Sequence, residues 1–521
     1  MPLKETLKTV GQLLSNEFKA AVGYQQNFEE LLENNDVNRA IALLENRSRV
    51  AEENLSIYHT ESHEIMRRPG RNIYDKKGNY LYTKELNQIA IPYQKFINEV
   101  ALVFLYGRPV LWKNATKNPQ SLEREDLQQQ LDEMEENDPQ REAIQQRIDA
   151  IDKATSAADD KYQMLMEELH QARFDAHLRE AKRYAGAEGC SALLFHTYQD
   201  DDGKANMLIR TLAKSKKDDI YTLFDQYDRL VAFAWGYNTK DGNGRTVRHY
   251  DVYTASKIYN CEQVKHGNWH TEVNDNPVGK IPVIVFMQEV EWEGAETMIQ
   301  RLEKAYSINA DNIDDFGTPV VVATGEITNI DDLPVQEEES KLFELRNGGD
   351  LKYLELDNIG NARKEEIQML DSNIMEKTFT PTITLEALRG LSNASGATLR
   401  TVMLLGSIKA DKRKESHDGL LSRVGNLMKA IMGNVLDIPG KSYYEKMVIE
   451  HEYQEPFGAD VTQTFADLIK QYGAGVISMR TVLEQSYLVP NADKELERIN
   501  QEKKQAEEQK QQMMLDAMSA M

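Results

Sequence analysis

The chain has 521 residues, with 62 Lys and Arg against 85 Asp and Glu, a net charge of −23. The length predicts about three or four domains, and so acidic a balance excludes a protein that grips duplex DNA along its phosphates, leaving only local or weak contact with DNA. Two cysteines, Cys190 and Cys261, argue for a reducing compartment and against a disulfide framework. No apolar run of eighteen residues predicts a membrane span. The N-terminal MPLKETLKTVGQLL is amphipathic and charged, without the apolar run of a signal peptide.

Residues 3–66 read as helices. Leu13, Leu14 and Phe18, then Phe28, Leu31 and Leu32, fall at helical spacing, with a break at Asn34-Asn35-Asp36. His59 and His63 stand four apart beside Glu64. That spacing suits a metal, but no third ligand is evident and a polar helix end is the better reading. RRPGRNIYDKKGNY is basic and turn-rich, a loop or short hairpin. In NQIAIPYQKFINEVALVFLYGRPVLW, Pro92 opens a buried helix that Gly107 and Pro109 close. Residues 120–155 carry two narrow apolar seams, Leu127-Leu131-Met134 and Ile144-Ile148-Ile151, around Asn137-Asp138-Pro139. They predict a charged helical hairpin projecting from the surface. A further helix runs to about Tyr184.

From Gly189 the apolar period changes to two, with turns at Asp202-Gly203, Asp241-Gly242 and Gly267-Asn268. The pattern predicts an antiparallel β module over 189–275. A helix follows at 295–316, then a small α/β unit with a strand at each end, then a helix over Ala362 to Lys377. TFTPTITLEALRGLSNASG reads as a loop. Ser392 to Leu436 then repeats apolar residues at helical spacing without proline, and if helical throughout it spans about 65 Å. Its centre, Lys409 to Asp418, is almost wholly charged or polar, which predicts a wet gap there. Gly396, Gly406, Gly419, Gly425 and Gly433 lie inside it, each costing roughly 1 kcal/mol against alanine. Two readings stand: a pair of helices joined near Gly419, or one long kinked helix whose glycines admit close neighbours, including copies of itself. KMVIEHEY reads as a strand, and the tail from Asn491 as a polar helix whose residues 500–512 carry mixed charge.

Searches for chemistry fail on spacing. Gly440-Lys441-Ser442 ends like a phosphate-binding loop, but position 435 is valine and Gly279-Lys280 is followed by isoleucine. There is no G-x-S-x-G, no H-E-x-x-H and no paired cysteine spacing. The expectation is no catalysis, no metal and no cofactor.

In chain order, YHTESHEIMRRP, NQIAIPYQKFINEVALVFLYGRPV, EGCSALLFHTYQDDDG, GKIPVIVFMQ, SGATLR and GAGVISMRTVLEQ resemble the bacteriophage portal proteins of the SPP1-like family. Arg108 stands where lysine is usual in that family, Ser395-Gly396-Ala397-Thr398-Leu399-Arg400 replaces its S-G-x-A-L-K, and the 120–155 hairpin is long for it. The resemblance covers roughly 30 to 520. It implies an α+β, mostly helical multi-domain portal fold with a wing over 1–290 and stem helices at 295–316 and 361–378. The clip would be 317–358, the tunnel loop 379–393, the long wing helix 394–436, and the crown and tail 450–521. It also implies a homo-oligomer, a dodecamer, at a unique capsid vertex of the virion, assembled in the host cytoplasm. Double-stranded DNA would pass through its channel in packaging and ejection. Further implied partners are the terminase large subunit, which is the packaging ATPase, head-completion or adaptor proteins, and the major capsid and scaffolding proteins.

On that plan Thr380, Thr382, Thr384 and Arg389 form the DNA-proximal tunnel loop. Glu365, Glu366, Asp371 and Glu376 line the bore, and Lys341, Arg346 and Lys352 in the clip meet phosphates. The competing readings are a coiled-coil head-assembly scaffold or adaptor, and a nuclease with acidic metal ligands.

Overall fold

The computed structural model describes residues 28–75, 77–116, 120–134, 140–264, 267–316, 320–327, 345–354, 359–381, 403–454 and 461–484, with 495–496, 498–499 and 502. The chain divides into two compact units, one of residues 1–383 with 403–454, the other of 384–402 with 455–521. In the second unit the described elements are helices Val461–Gly473 and Met479–Glu484.

After a helical stretch at 28–33, the larger unit continues with α1 (Val37–Ala42), the short strand β1 (Glu45–Asn46) and α2 (Ser48–Tyr58). The basic turn-rich segment forms an antiparallel hairpin of β2 (Arg71–Tyr74) and β3 (Tyr80–Lys84). Helix α3 (Tyr93–Tyr106) starts after Pro92 and ends at Gly107, the boundaries that the proline and glycine dictate. Strand β4 (Leu111–Asn114) pairs with β15 (Ile449–Glu452), the strand expected in KMVIEHEY.

The hairpin expected over 120–155 is α4 (Gln120–Glu133) with α5 (Arg141–Gln171), so its second arm runs about four turns beyond the expected end. The extension follows the apolar spacing: Ile148 and Ile151 are succeeded by Leu165 and Leu169, all buried. Arg124–Asp152 at 2.5 Å and Arg147–Glu123 at 3.0 Å clamp the two arms. Helix α6 (Phe174–Glu188) follows.

The β module is two sheets rather than one. β7 (Asp219–Phe224), β8 (Leu230–Lys240), β9 (Thr246–Tyr253), β10 (Lys257–Gln263) and β11 (Trp269–Asp275) form the expected meander, with β1 added at the β7 edge. β5 (Cys190–Gln199) and β6 (Ala205–Leu212) leave it and pair with β12 (Val283–Met287), beyond the expected limit at 275. The first six residues of β5 are all buried, so this strand needs cover on both faces and sits between two partners. Alternation along β8 fixes the layers. Ala232 and Ala234 face Phe28, Leu32, Val37 and Ile41 of the N-terminal helices, while Phe233 faces Leu194, Val283 and Val285 of the smaller sheet. Cys190 and Cys261 are buried free thiols, one in each of these cores.

Helix α7 (Glu296–Phe316) and helix α8 (Ile359–Lys377) flank an antiparallel pair, β13 (Val320–Ile327) with β14 (Leu345–Leu354). The strand at each end of the small α/β unit is therefore present, and the two pair with each other. Helix α9 (Leu404–Ile431) continues through Gly419 without a joint and passes into a π-helical turn at Met432–Leu436. Of the reading as two helices, nothing remains at Gly419; residues 392–402 of the expected span lie outside the described residues.

Two glycines of α9 admit close neighbours within this chain, since a Cβ on Gly406 would lie 2.5 Å from the Phe104 ring and one on Gly425 would touch Ile449 and Trp112, while Gly419 faces open space. The charged centre of α9, expected to be a wet gap, is wet on one face only, where Asp411, Lys412, Glu415, Ser416 and Asp418 are exposed. Lys409 and His417 are buried, and the Arg413 side chain is 12 % exposed. Lys409 and Arg413 converge on Glu291, a fully buried carboxylate that also pairs with the fully buried Lys182 of α6. Lys409 Nζ lies 3.2 Å from one Glu291 oxygen and Arg413 Nε 3.2 Å from the other. Three cations around one carboxylate hold Glu291 well below the ordinary acid range despite its burial. Burial brings Lys409 down to about 8. His417 is brought down to about 3 by burial, with Lys182 and Arg413 adding to the effect. Its neutral ring meets the Tyr106 hydroxyl at Nδ1, 2.8 Å, and Gln288 Oε1 at Nε2, 3.2 Å, a pattern satisfied with the proton on Nε2.

Candidate nucleic-acid interface

Helices α7 and α8 pack through Ile299, Leu302, Ile367, Leu370 and Ile374, a core that Ile97 and Trp292 complete. On the buried side of α7 three polar residues recur every four positions. Glu303 accepts from the Ile91 amide at 2.8 Å and contacts His63 Nδ1 at 2.6 Å. The Ser307 hydroxyl accepts from the Ile89 amide at 2.9 Å. Asp311 accepts from the Asn87 amide at 2.8 Å and pairs with Arg68 at 2.7 Å. This ladder lashes residues 87–91, a segment in no helix or strand, along α7 and gives every second amide its partner. Only the i, i+4, i+8 spacing of Glu303, Ser307 and Asp311 signals it in the sequence, and sequence reasoning passed over it.

The same geometry occupies His63, one of the two histidines of the candidate metal spacing. His63 is buried, with Nε2 2.8 Å from the Ile57 carbonyl, and its bond to Glu303 raises its pKa. Both ring nitrogens are engaged by protein, which leaves none for a metal. Among the described residues no group of three or more His, Cys, Asp or Glu side chains is placed to hold one.

The four carboxylates expected along the bore have different surroundings. Glu366 is tied to Arg301 of α7 at 2.5 Å, and Asp371 accepts the hydroxyl proton of Tyr93, whose own pKa burial and Asp371 push up. Glu365 and Glu376 are exposed. Eleven positions apart, they are about three turns apart and share one side of α8, a side that also carries exposed Gln368, Met369 and Ser372.

At its C-terminus α8 stops in a Schellman turn. The Thr380 amide bonds to Met375 O at 2.8 Å and the Phe379 amide to Glu376 O at 3.2 Å. The left-handed position, usually glycine, is Phe379 with φ 52°, and its side chain is 43 % exposed. Thr380 is 1 % exposed, its hydroxyl 2.9 Å from that of Thr378. A side chain so enclosed offers no surface to a passing ligand. Thr382, Thr384 and Arg389 lie outside the described residues. On the strand pair Arg346 stands in register with Glu326 and Lys352 with Val322; Lys341 lies outside the described residues.

No helix among the described residues is long and apolar enough to cross a membrane. No curated protein matches the chain. A solved structure titled "Neck of native GTA particle computed with C12 symmetry" is similar over 77 % of this chain and 91 % of that chain, at 11 % identity and a TM-score of 0.37. The model of the family described as phage portal protein, SPP1 Gp6-like, matches residues 40–509, a span that takes in both sheets, the α7–α8 pair and the long helix. The chain belongs to that family of phage portal proteins.

Proposed function

We propose that copies of this chain close into a ring, twelve on the family plan, at one vertex of the capsid, and that double-stranded DNA is packaged and later ejected through the central hole. The role is structural. The observation that carries this reading is the family match over nearly the whole chain. In this reading residues 1–290 form the wing, α7 and α8 the stem, 317–358 the clip, 379–393 the tunnel loop, 394–436 the long wing helix, and 450–521 the crown. Partners are the packaging ATPase, head-completion proteins, and the major capsid and scaffolding proteins.

The chemistry of α8 favours the assignment. Glu365 and Glu376 present an acidic, uncommitted side, the surface a bore needs if a polyanion is to slide past without being held. Thr382, Thr384 and Arg389 in the loop beyond Phe379 are the DNA-proximal group, and Lys341, Arg346 and Lys352 of the clip are the cations that meet phosphates. Negative-stain images of the purified protein test the reading. Closed rings with a central hole are expected, and a protein that stays monomeric across salt and concentration overturns it.

A further inference from the structure

The β2–β3 hairpin stands alone as a two-stranded sheet. Isolated hairpins are marginal in water, yet this one exposes Tyr74, Tyr80, Leu81 and Tyr82, each to 55–56 %. Because side chains alternate along a strand, Leu81 faces opposite to Tyr80 and Tyr82 on β3. Apolar surface therefore stands in solvent on both faces. The foot of the hairpin is held firmly. Arg68 donates to Asn87 O at 3.0 Å, Gln88 Nε2 donates to Arg68 O at 3.0 Å, and Arg68 pairs with Asp311 of α7. Gly70 lets the strands close there, since a Cβ would lie 2.6 Å from Thr83 Cγ2 and 2.8 Å from Lys84 O. The hairpin is a built projection on a rigid base.

Its charge is opposite to that of the molecule. Residues 64–84 contain Arg67, Arg68, Arg71, Lys76, Lys77 and Lys84 against Glu64 and Asp75, a net +4, so the other residues of this −23 chain sum to −27. At the foot a 600 Å³ groove is lined by Arg67, Arg68, Arg301 and Lys304, with Glu64 the acid among its lining residues. Arg68 and Arg301 are committed to Asp311 and Glu366, whereas Arg67 and Lys304 have no ion pair among the described residues.

We infer that this hairpin and groove dock onto an acidic face of the next copy of the chain, as one half of the contact that closes the ring. The inference rests on the ring proposed above. A ring closes through heterologous contacts, in which one patch meets a different patch on its neighbour. A basic patch on an otherwise strongly acidic chain has its complement on any other copy. Tyrosine and arginine are also the residues that anchor protein interfaces. Duplex DNA fits less well: its phosphates would engage the arginines but leave Leu81 and the tyrosine rings uncovered, because paired bases are not available for stacking.

The test uses the full chain in two forms. One carries Tyr80→Ser, Leu81→Ser and Tyr82→Ser together. The other carries a benzophenone amino acid at position 82. The triple variant is expected to keep the circular dichroism and melting temperature of the parent, because it alters exposed side chains, while its ring fraction falls at least tenfold at equal concentration. Irradiated rings bearing the photo-cross-linker are expected to give covalent dimers of this chain. Rings from the triple variant in parental yield overturn the inference and leave the ring itself standing. Assembled rings that give no inter-chain product, or that label only DNA or another head protein, also overturn it. A parent protein that never leaves the monomer overturns the ring and the docking together.

Discussion

The Glu291→Gln substitution probes the attachment of the long helix. Glu291 is fully buried and carries one negative charge among Lys182, Lys409 and Arg413. At an effective dielectric of about 20, one pair near 3.2 Å is worth roughly 5 kcal/mol before desolvation is counted. Breaking a buried pair by removing one partner costs about 3–5 kcal/mol, and here the amide would leave three like charges facing one another. Unfolding a unit of roughly 430 residues releases about 0.9 kcal/mol per kelvin of entropy, so a loss of about 4 kcal/mol lowers the melting temperature by about 4–5 °C. Lys182→Met removes a cation instead, leaves two charges balancing Glu291, and is expected to be the milder change. Differential scanning calorimetry on the parent and both variants reads the order directly. A Glu291→Gln protein that melts within 1 °C of the parent, or a Lys182→Met protein that melts lower than Glu291→Gln, would refute the reasoning.

Acid sensitivity follows from His417, which is neutral in the fold with its pKa brought down to about 3 against an ordinary value near 6.5. Between those limits the unfolded chain binds the extra proton, so stability falls as pH drops below about 6.5, by about 2 kcal/mol at pH 5. His63 works in the opposite sense, because its raised pKa adds stability that is complete below about 6.5 and lost as pH climbs through the folded value. His417→Gln is expected to flatten the acid limb of a urea-midpoint against pH curve, and an unchanged limb would place its origin elsewhere. Gly406→Leu drives a side chain into the Phe104 ring and is expected to cost about 1–3 kcal/mol in the isolated chain; a variant of parental stability that fails only in ring assembly would restore a contact between copies at that glycine. Phe379→Gly relieves a left-handed residue and is expected to raise stability by about 1 kcal/mol in chemical denaturation, whereas a loss would show that the ring's own contacts outweigh the strain. Deleting residues 380–391 is expected to leave rings intact and impair DNA packaging in a packaging assay, and undiminished packaging would remove the loop from the DNA path.

What the sequence made legible was wherever local signals suffice. Pro92 and Gly107 bound α3, the period-two apolar pattern marks the meander, and a strand stands at each end of the 317–358 unit as expected. The exit of β5 and β6 from the meander was hidden, because a strand's partner is chosen by burial on both faces and the partner β12 lies roughly 90 residues on. The burial of Lys409, Arg413 and His417 was hidden for a related reason. Charged side chains default to solvent, and the carboxylate that makes their burial tolerable sits 118 residues away from Lys409. At the candidate interface the pattern supplied acids on α8 but not their division into tied and free. That division depends on Arg301 and Tyr93, which belong to other elements.

On the proposed reading, in which α8 lines the bore, the division bears on how a channel wall would stay smooth. An acidic total charge would not prevent a stall if cations stood uncommitted beside the bore, because each free Lys or Arg is a phosphate contact that must be broken. In this chain four arginines around the helix pair are occupied from within, Arg301 by Glu366, Arg68 by Asp311, Arg183 by Glu99 and Arg413 by Glu291, while Arg67, Lys304 and Arg363 have no ion pair among the described residues. The carboxylates that neutralise the four come from α3, α7, α8 and the segment before α7, so the same contacts that lock the elements together also withdraw positive charge from the surface. Glu365 and Glu376 are left exposed on α8, each beside an exposed lysine, Lys364 and Lys377. Charge-reversing both to lysine would set two free cations on one side of the helix without touching its packing face, so rings should form normally while packaging slows, more severely at low salt than at high. Packaging that is unaffected at low ionic strength would mean that this side of α8 does not face the DNA.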